Sequence, residues 1–139
     1  MKPKPDELLR NVPLFAGLSR KELREVSRLT ARMQLPAGRT LIRQGAQGHE
    51  FIVVLEGSVD VLIDGEVVAR PAAGECYGEV ALLDHAPRMA TVVATSDVIV
   101  DIISQPDFAD LLELHPQIEE RVREALAWYH EHPRQHPPR

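Results

Sequence analysis

Val59-Asp60-Val61-Leu62-Ile63-Asp64-Gly65-Glu66-Val67-Val68 is the stretch on which the fold turns. Two runs rich in β-branched residues flank an Asp-Gly pair, and that dipeptide accepts the positive φ angles of a two-residue hairpin turn. An antiparallel hairpin is therefore expected over 58–70. Working outward, glycines at 38, 45, 48, 57, 65, 74 and 78 cut the middle of the chain into short apolar runs. Eight strands are predicted, at 32–35, 40–43, 50–55, 58–63, 66–70, 75–77, 89–94 and 98–103. Short strands with turn chemistry between them imply an eight-stranded antiparallel jelly-roll β-roll, so the fold class is mainly β with flanking helices.

Helical spacing takes over on both sides. A short helix is expected over 6–11, stopped by Pro13, which lacks a backbone donor. Ser19-Arg20-Lys21-Glu22 has capping-box spacing, and Leu23, Val26 and Leu29 then form an apolar stripe. Arg20, Arg24 and Arg28 recur on the opposite face, which reads as solvated charge. After the strands, Ser104-Gln105-Pro106-Asp107 opens a helix in which Leu111, Leu112 and Leu114 are expected to pack inward. His115-Pro116 ends it. A last helix is predicted over 117–130, with Ile118, Val122, Ala125, Leu126 and Tyr129 along one side. The expected organisation is one domain over 1–131, made of a helical part at 6–29, a β-roll at 31–103 and C-terminal helices at 105–130. A proline-rich tail at 132–139 is expected to be mobile.

Composition narrows the function. Of 139 residues, 44% are hydrophobic but only 4% aromatic, so the core must be aliphatic. The net charge is −5, divided as +5 over residues 1–50 and −10 over 51–139. That balance argues against binding DNA, which needs a cationic face, and no helix-turn-helix follows the last helix. Between Arg43 and Arg121 the only Arg or Lys residues are Arg70, read as a surface charge, and Arg88. The single cysteine, Cys76, excludes an internal disulfide and fits a reducing cytoplasm; a half-buried place on a strand is expected for it. No apolar run reaches the ~18 residues of a membrane span. His49, His85 and His115 are scattered, and His130, His132 and His136 fall near the end, so no metal ligand set emerges. A metal-dependent enzyme on a double-stranded β fold would need one, and neither catalysis nor a cofactor is indicated.

The chemistry concentrates in 77–92. Gly78 permits close backbone approach, Glu79 to Leu83 can form one helical turn with unpaired amides, and Arg88 returns from a proline-led loop just before a strand. Free amides and one guanidinium suit a phosphate, because hydrogen bonds to a charged group contribute about 1.5–3 kcal/mol each. Glu79 would repel that phosphate and is better matched to a neutral hydroxyl such as a ribose carries. An ion pair of Arg88 with Asp84 or Glu79, or a dipole role for Glu79 at the helix start, would leave the rest of the segment unexplained.

Gly78-Glu79-Val80-Ala81-Leu82, six residues, then Arg88-Met89-Ala90-Thr91 resembles the phosphate-binding cassette of cyclic nucleotide-binding domains. That family includes the sensor domains of catabolite activators, protein kinase A regulatory subunits and cyclic nucleotide-gated channels. Ala37-Gly38, Arg43-Gln44-Gly45 and Phe51-Ile52-Val53-Val54-Leu55-Glu56-Gly57 are similar to the family's strand-and-turn framework, so the likeness covers about residues 6–130. The resemblance implies that Arg88, with the backbone at Ala81 and Met89, holds the cyclic phosphate, and that Glu79 and the backbone of Gly78 hold the ribose. Val80, Leu82 and Ala90 would complete the cassette. Trp128 and Tyr129 are the aromatic residues available to cover the base. Met89 stands where relatives that favour guanine often have threonine; its thioether can pack on a purine, which points to cyclic AMP over cyclic GMP. The family also implies that binding moves the C-terminal helices. The expected partners are a cyclic nucleotide, an effector protein or domain outside these 139 residues and, as an open option, a second copy in a homodimer. A cyclic nucleotide-binding fold that has lost its ligand and serves as a protein-interaction module is the alternative.

Overall fold

A computed structural model describes residues 5–78 and 87–132. Helix α1 (Pro5–Leu9) leads through a 3-10 turn (Pro13–Phe15) to helix α2 (Arg20–Arg28). Eight strands follow: β1 (Ala31–Leu35), β2 (Thr40–Ile42), β3 (Glu50–Glu56), β4 (Val59–Ile63), β5 (Glu66–Ala69), β6 (Cys76–Tyr77), β7 (Thr91–Ala94) and β8 (Val98–Ser104). Helices α3 (Gln105–Leu114) and α4 (Pro116–Glu131) complete the described chain.

The strands form two four-stranded sheets, in the orders β1-β8-β3-β6 and β2-β7-β4-β5, with every pairing antiparallel. This is the jelly-roll arrangement, mainly β with flanking helices. The hairpin forms where Asp64-Gly65 predicts it: Ile63 pairs with Glu66, and the turn residues have φ of 53° and 83°. Both central positions of a type I′ turn need such values, which is why an Asp-Gly pair serves there.

Two cores share strand β3. Phe51, Val53 and Leu55 face the helices, where they meet Leu23, Val26, Phe108, Leu111, Ile118 and Val122. Ile52 and Val54 face the other sheet, packing with Val59, Val61, Val92 and Val100. Because side chains alternate across a strand, a strand covered on both faces reads as an unbroken apolar run. Phe51 stacks on Phe108 of α3, with ring centroids 4.6 Å apart. Helix α3 is thereby fixed to the same strand whose first residue, Glu50, borders the site described below.

Two expectations need adjustment. Leu114 is 66% exposed, not inward-facing. At a 3.6-residue period the buried positions 108, 111, 112 and 115 share one face of α3, and residue 114 lies off it. The strand expected over 89–94 begins at Thr91, with Met89 and Ala90 forming a bend. Arg70 is 75% exposed and lies 3.3 Å from Asp60, a surface pair. Cys76 is half-buried on β6, as its surroundings suggest. The one-turn helix expected after Gly78, and residues 133–139 of the expected tail, lie outside the described residues. His132 packs at the end of α4, its amide donating to the Trp128 carbonyl at 2.9 Å.

Candidate functional site

Arg88 is held by its backbone before its side chain is considered. Its amide donates to the Ala46 carbonyl at 2.9 Å, and its carbonyl accepts from the Gly45 amide at 2.8 Å. This reciprocal pair clamps residue 88 against the loop between β2 and β3. The loop is itself anchored. Gln44 donates from its backbone amide to Thr91 Oγ1 at 3.0 Å, while its side-chain amide exchanges two hydrogen bonds with Asp64, of 2.8 and 3.0 Å. The turn of the β4–β5 hairpin thus braces residue 44, which braces residues 45–46, which hold Arg88.

The guanidinium then runs between two glycines. A Cβ on Gly48 would sit 2.5 Å from Arg88 Nε and 2.6 Å from Cζ. A Cβ on Gly78 would collide with Arg88 Nη1 and lie 2.7 Å from the Glu50 carbonyl oxygen. Gly78 also has φ of 103°, which favours glycine on conformational grounds; Gly48 does not have a positive φ, so its missing side chain serves the close approach alone. Nη2 of Arg88 donates to the Glu50 carbonyl at 2.8 Å. The far side of the same loop reaches the C-terminal helices, because the Gln105 amide at the start of α3 donates to the His49 carbonyl at 3.0 Å. Ser104 Oγ caps α3 through the Asp107 amide. Residues 48–50 therefore touch the guanidinium on one side and the first turn of α3 on the other.

Of the residues singled out from sequence, Gly78, Arg88, Met89 and Ala90 come together at this end of the roll. Met89 is half-buried, and Ala90 packs against the core between the sheets. Trp128 stacks on His132 at the end of α4, with ring centroids 4.3 Å apart and planes 12° from parallel. Glu79, Val80, Ala81, Leu82 and the side chain of Tyr129 lie outside the described residues. Sequence reasoning missed Gly48 and the Glu50 carbonyl. The usable signal was a second glycine three residues after Gly45, which looks like ordinary turn chemistry.

An open depression of about 470 Å³ lies at the opposite end of β3, lined by Leu35, Pro36, Glu56, Gly57, Asp97 and Val98. Its two carboxylates repel an anion, so it is no rival for a phosphate. Among the described residues, no group of three or more His, Cys, Asp or Glu side chains could hold a metal ion, and no helix is long and apolar enough to cross a membrane.

The family model for the cyclic nucleotide-binding domain matches residues 32–115. The chain belongs to the cyclic nucleotide-binding domain family and is a regulatory domain of that kind. It is 36% identical over 109 residues to a cAMP-dependent protein kinase regulatory subunit of Colletotrichum orbiculare, which covers 77% of this chain and 28% of that one. It is 34% identical over 117 residues to a cyclic nucleotide-gated potassium channel of Rhizobium etli, covering 84% of this chain and 33% of the channel. Among solved structures, cAMP-bound PfPKA-R (141-441) superposes with a TM-score of 0.81 at 25% identity, over 91% of this chain and 44% of that one. The chain spans between 21% and 33% of the length of these and six other curated relatives it matches.

Proposed function

We propose that this chain is a non-catalytic cyclic AMP sensor, a single domain over residues 1–131 that works in the cytoplasm and passes its response to a protein or domain outside these 139 residues. The observation that carries the proposal is the preformed seat of Arg88: a backbone clamp at residues 45–46 and a slot between Gly48 and Gly78 fix one guanidinium at the end of the roll. A cation seated in advance of binding lowers the ordering cost of meeting an anion. In this reading Arg88 and the backbone at Ala81 and Met89 bind the cyclic phosphate. Glu79 and Gly78 bind the ribose. Val80, Leu82 and Ala90 line the cassette, and Trp128 and Tyr129 are the candidates to cover the base. Likeness to cAMP-dependent and cAMP-bound proteins, together with the thioether of Met89, supports adenine over guanine.

The route to an output is the 48–50 segment. An anion bound by Arg88 competes with the guanidinium's contacts to Gly48 and Glu50, and the His49 carbonyl carries that change to the amide of Gln105. Helices α3 and α4 then shift by as much as the ligand's differential affinity for the two states allows. Competition of cyclic AMP and cyclic GMP for the intact chain, read by calorimetry, is expected to favour cyclic AMP; tighter binding of cyclic GMP would reject the base assignment. Amide exchange over residues 105–131 is expected to change on adding cyclic AMP, and an unchanged pattern would reject the output.

Gly48→Ala gives a sharper test of the seat. Its Cβ displaces the middle of the arginine side chain, not a flexible tip, so affinity for cyclic AMP should fall about tenfold, or ~1.4 kcal/mol, while thermal stability changes little. Wild-type affinity in this variant would mean that the glycine slot does not position the guanidinium.

A further inference from the structure

His115 is one of two buried polar or charged residues among those described, at 4% exposure, and it occupies the joint between α3 and α4. Its amide donates to the Leu111 carbonyl, ending α3, and its carbonyl accepts from the amides of Ile118 and Glu119, starting α4. The ring reaches across to α2. Nδ1 lies 3.5 Å from Glu22 Oε2, and Nε2 lies 3.8 Å from Glu25 Oε2. A neutral imidazole offers one donor and one lone pair, whereas ionised carboxylates only accept. Carboxylates facing both ring nitrogens are therefore both satisfied only by the doubly protonated ring.

We propose that His115 is a proton-operated clasp between α2 and the α3–α4 joint, closed while the imidazole is charged and loosened when it loses a proton. The other charged groups on these elements are paired elsewhere or exposed. Glu119 pairs with Arg123 at 2.8 Å, and Arg121 donates to the Leu14 carbonyl at 2.7 Å. Arg20, Lys21, Arg24 and Arg28 occupy exposed positions of α2. Glu22 is held below the usual carboxylate range, first by the Ser19 amide, then by the Ser19 hydroxyl, with His115 adding to the effect. It therefore stays a carboxylate in either protonation state of the facing ring. When the ring loses a proton, one ring nitrogen becomes a lone pair directed at a carboxylate, attraction turns to repulsion, and α2 releases the joint. The clasp acts on the helices whether or not a nucleotide binds the roll.

The test uses the full chain and the Glu22→Gln/Glu25→Gln double variant. Glutamine at position 22 retains the capping box, so α2 should remain folded. Ring ¹⁵N shifts of His115 at pH 5.5 should show protons on both nitrogens in the wild type. Protection of the amides of His115, Ile118 and Glu119, corrected for intrinsic exchange, should fall about tenfold between pH 5.5 and 8.0 in the wild type and stay level in the double variant. A singly protonated ring at pH 5.5, or the same fall in both proteins, would overturn the clasp.

Discussion

Arg88→Leu should fold like the wild type and bind cyclic AMP at least about 100-fold more weakly. The guanidinium is expected to give a singly charged phosphate two charge-assisted hydrogen bonds, each contributing about 1.5–3 kcal/mol, and the sum corresponds to roughly two to four decades of affinity. Folding is little affected because the backbone clamp to Gly45 and Ala46 does not involve the side chain. The guanidinium donates to the Glu50 carbonyl at the open end of the roll, a bond made outside both hydrophobic cores. Arg88→Lys should fall between the two, since an ammonium keeps the charge but not the planar fork. Calorimetric titration with unfolding curves on the same samples separates lost binding from lost fold. Equal affinity in wild type and Arg88→Leu would remove Arg88 from the phosphate site.

The second large effect concerns stability. Asp101 has no exposed surface and sits on β8 between Val100 and Ile102, where a carboxylate has little contact with water. Arg32, its partner across the β1–β8 ladder, meets it with both arms of the fork, at 2.9 and 3.0 Å. Arg32→Met leaves that charge buried without its fork. Removing one member of a buried pair commonly costs 3–5 kcal/mol; with Arg32 28% exposed, about 2–4 kcal/mol is expected here, which lowers Tm by about 10 °C. Adding Asp101→Leu to that variant should recover most of the loss, because an apolar pair of similar volume removes the need for compensation. Unfolding in urea measures all three proteins. An Arg32→Met variant within 0.5 kcal/mol of wild type would contradict this account of the pair.

These residues show what could be read from sequence. Asp64-Gly65 announces its hairpin because the turn is a local demand on φ, satisfied by the two residues that make it. The capping box at Ser19 and Glu22 is visible for the same reason, and both of its hydrogen bonds form, at 2.9 and 3.1 Å. Arg88 stood out as an isolated cation at a fixed spacing from Gly78. The roles of Gly48, Asp101 and His115 were not legible, because each depends on a partner distant in the chain. Arg32 and Asp101 are 69 residues apart, and Gly48 meets Arg88 40 positions later, so a glycine read as a turn proves to be a slot. His115 looked like a helix break, which it is, but its ring answers to α2, more than 80 residues earlier. Leu114 was misjudged because three leucines close together suggest a common face that the helical period does not give them.

The most direct test of the central claim is calorimetric titration of cyclic AMP into the intact wild-type chain at neutral pH. Saturable binding of one nucleotide per chain is expected. Absence of binding at millimolar cyclic AMP by a folded protein would contradict it and leave an interaction module built on a cyclic nucleotide-binding fold.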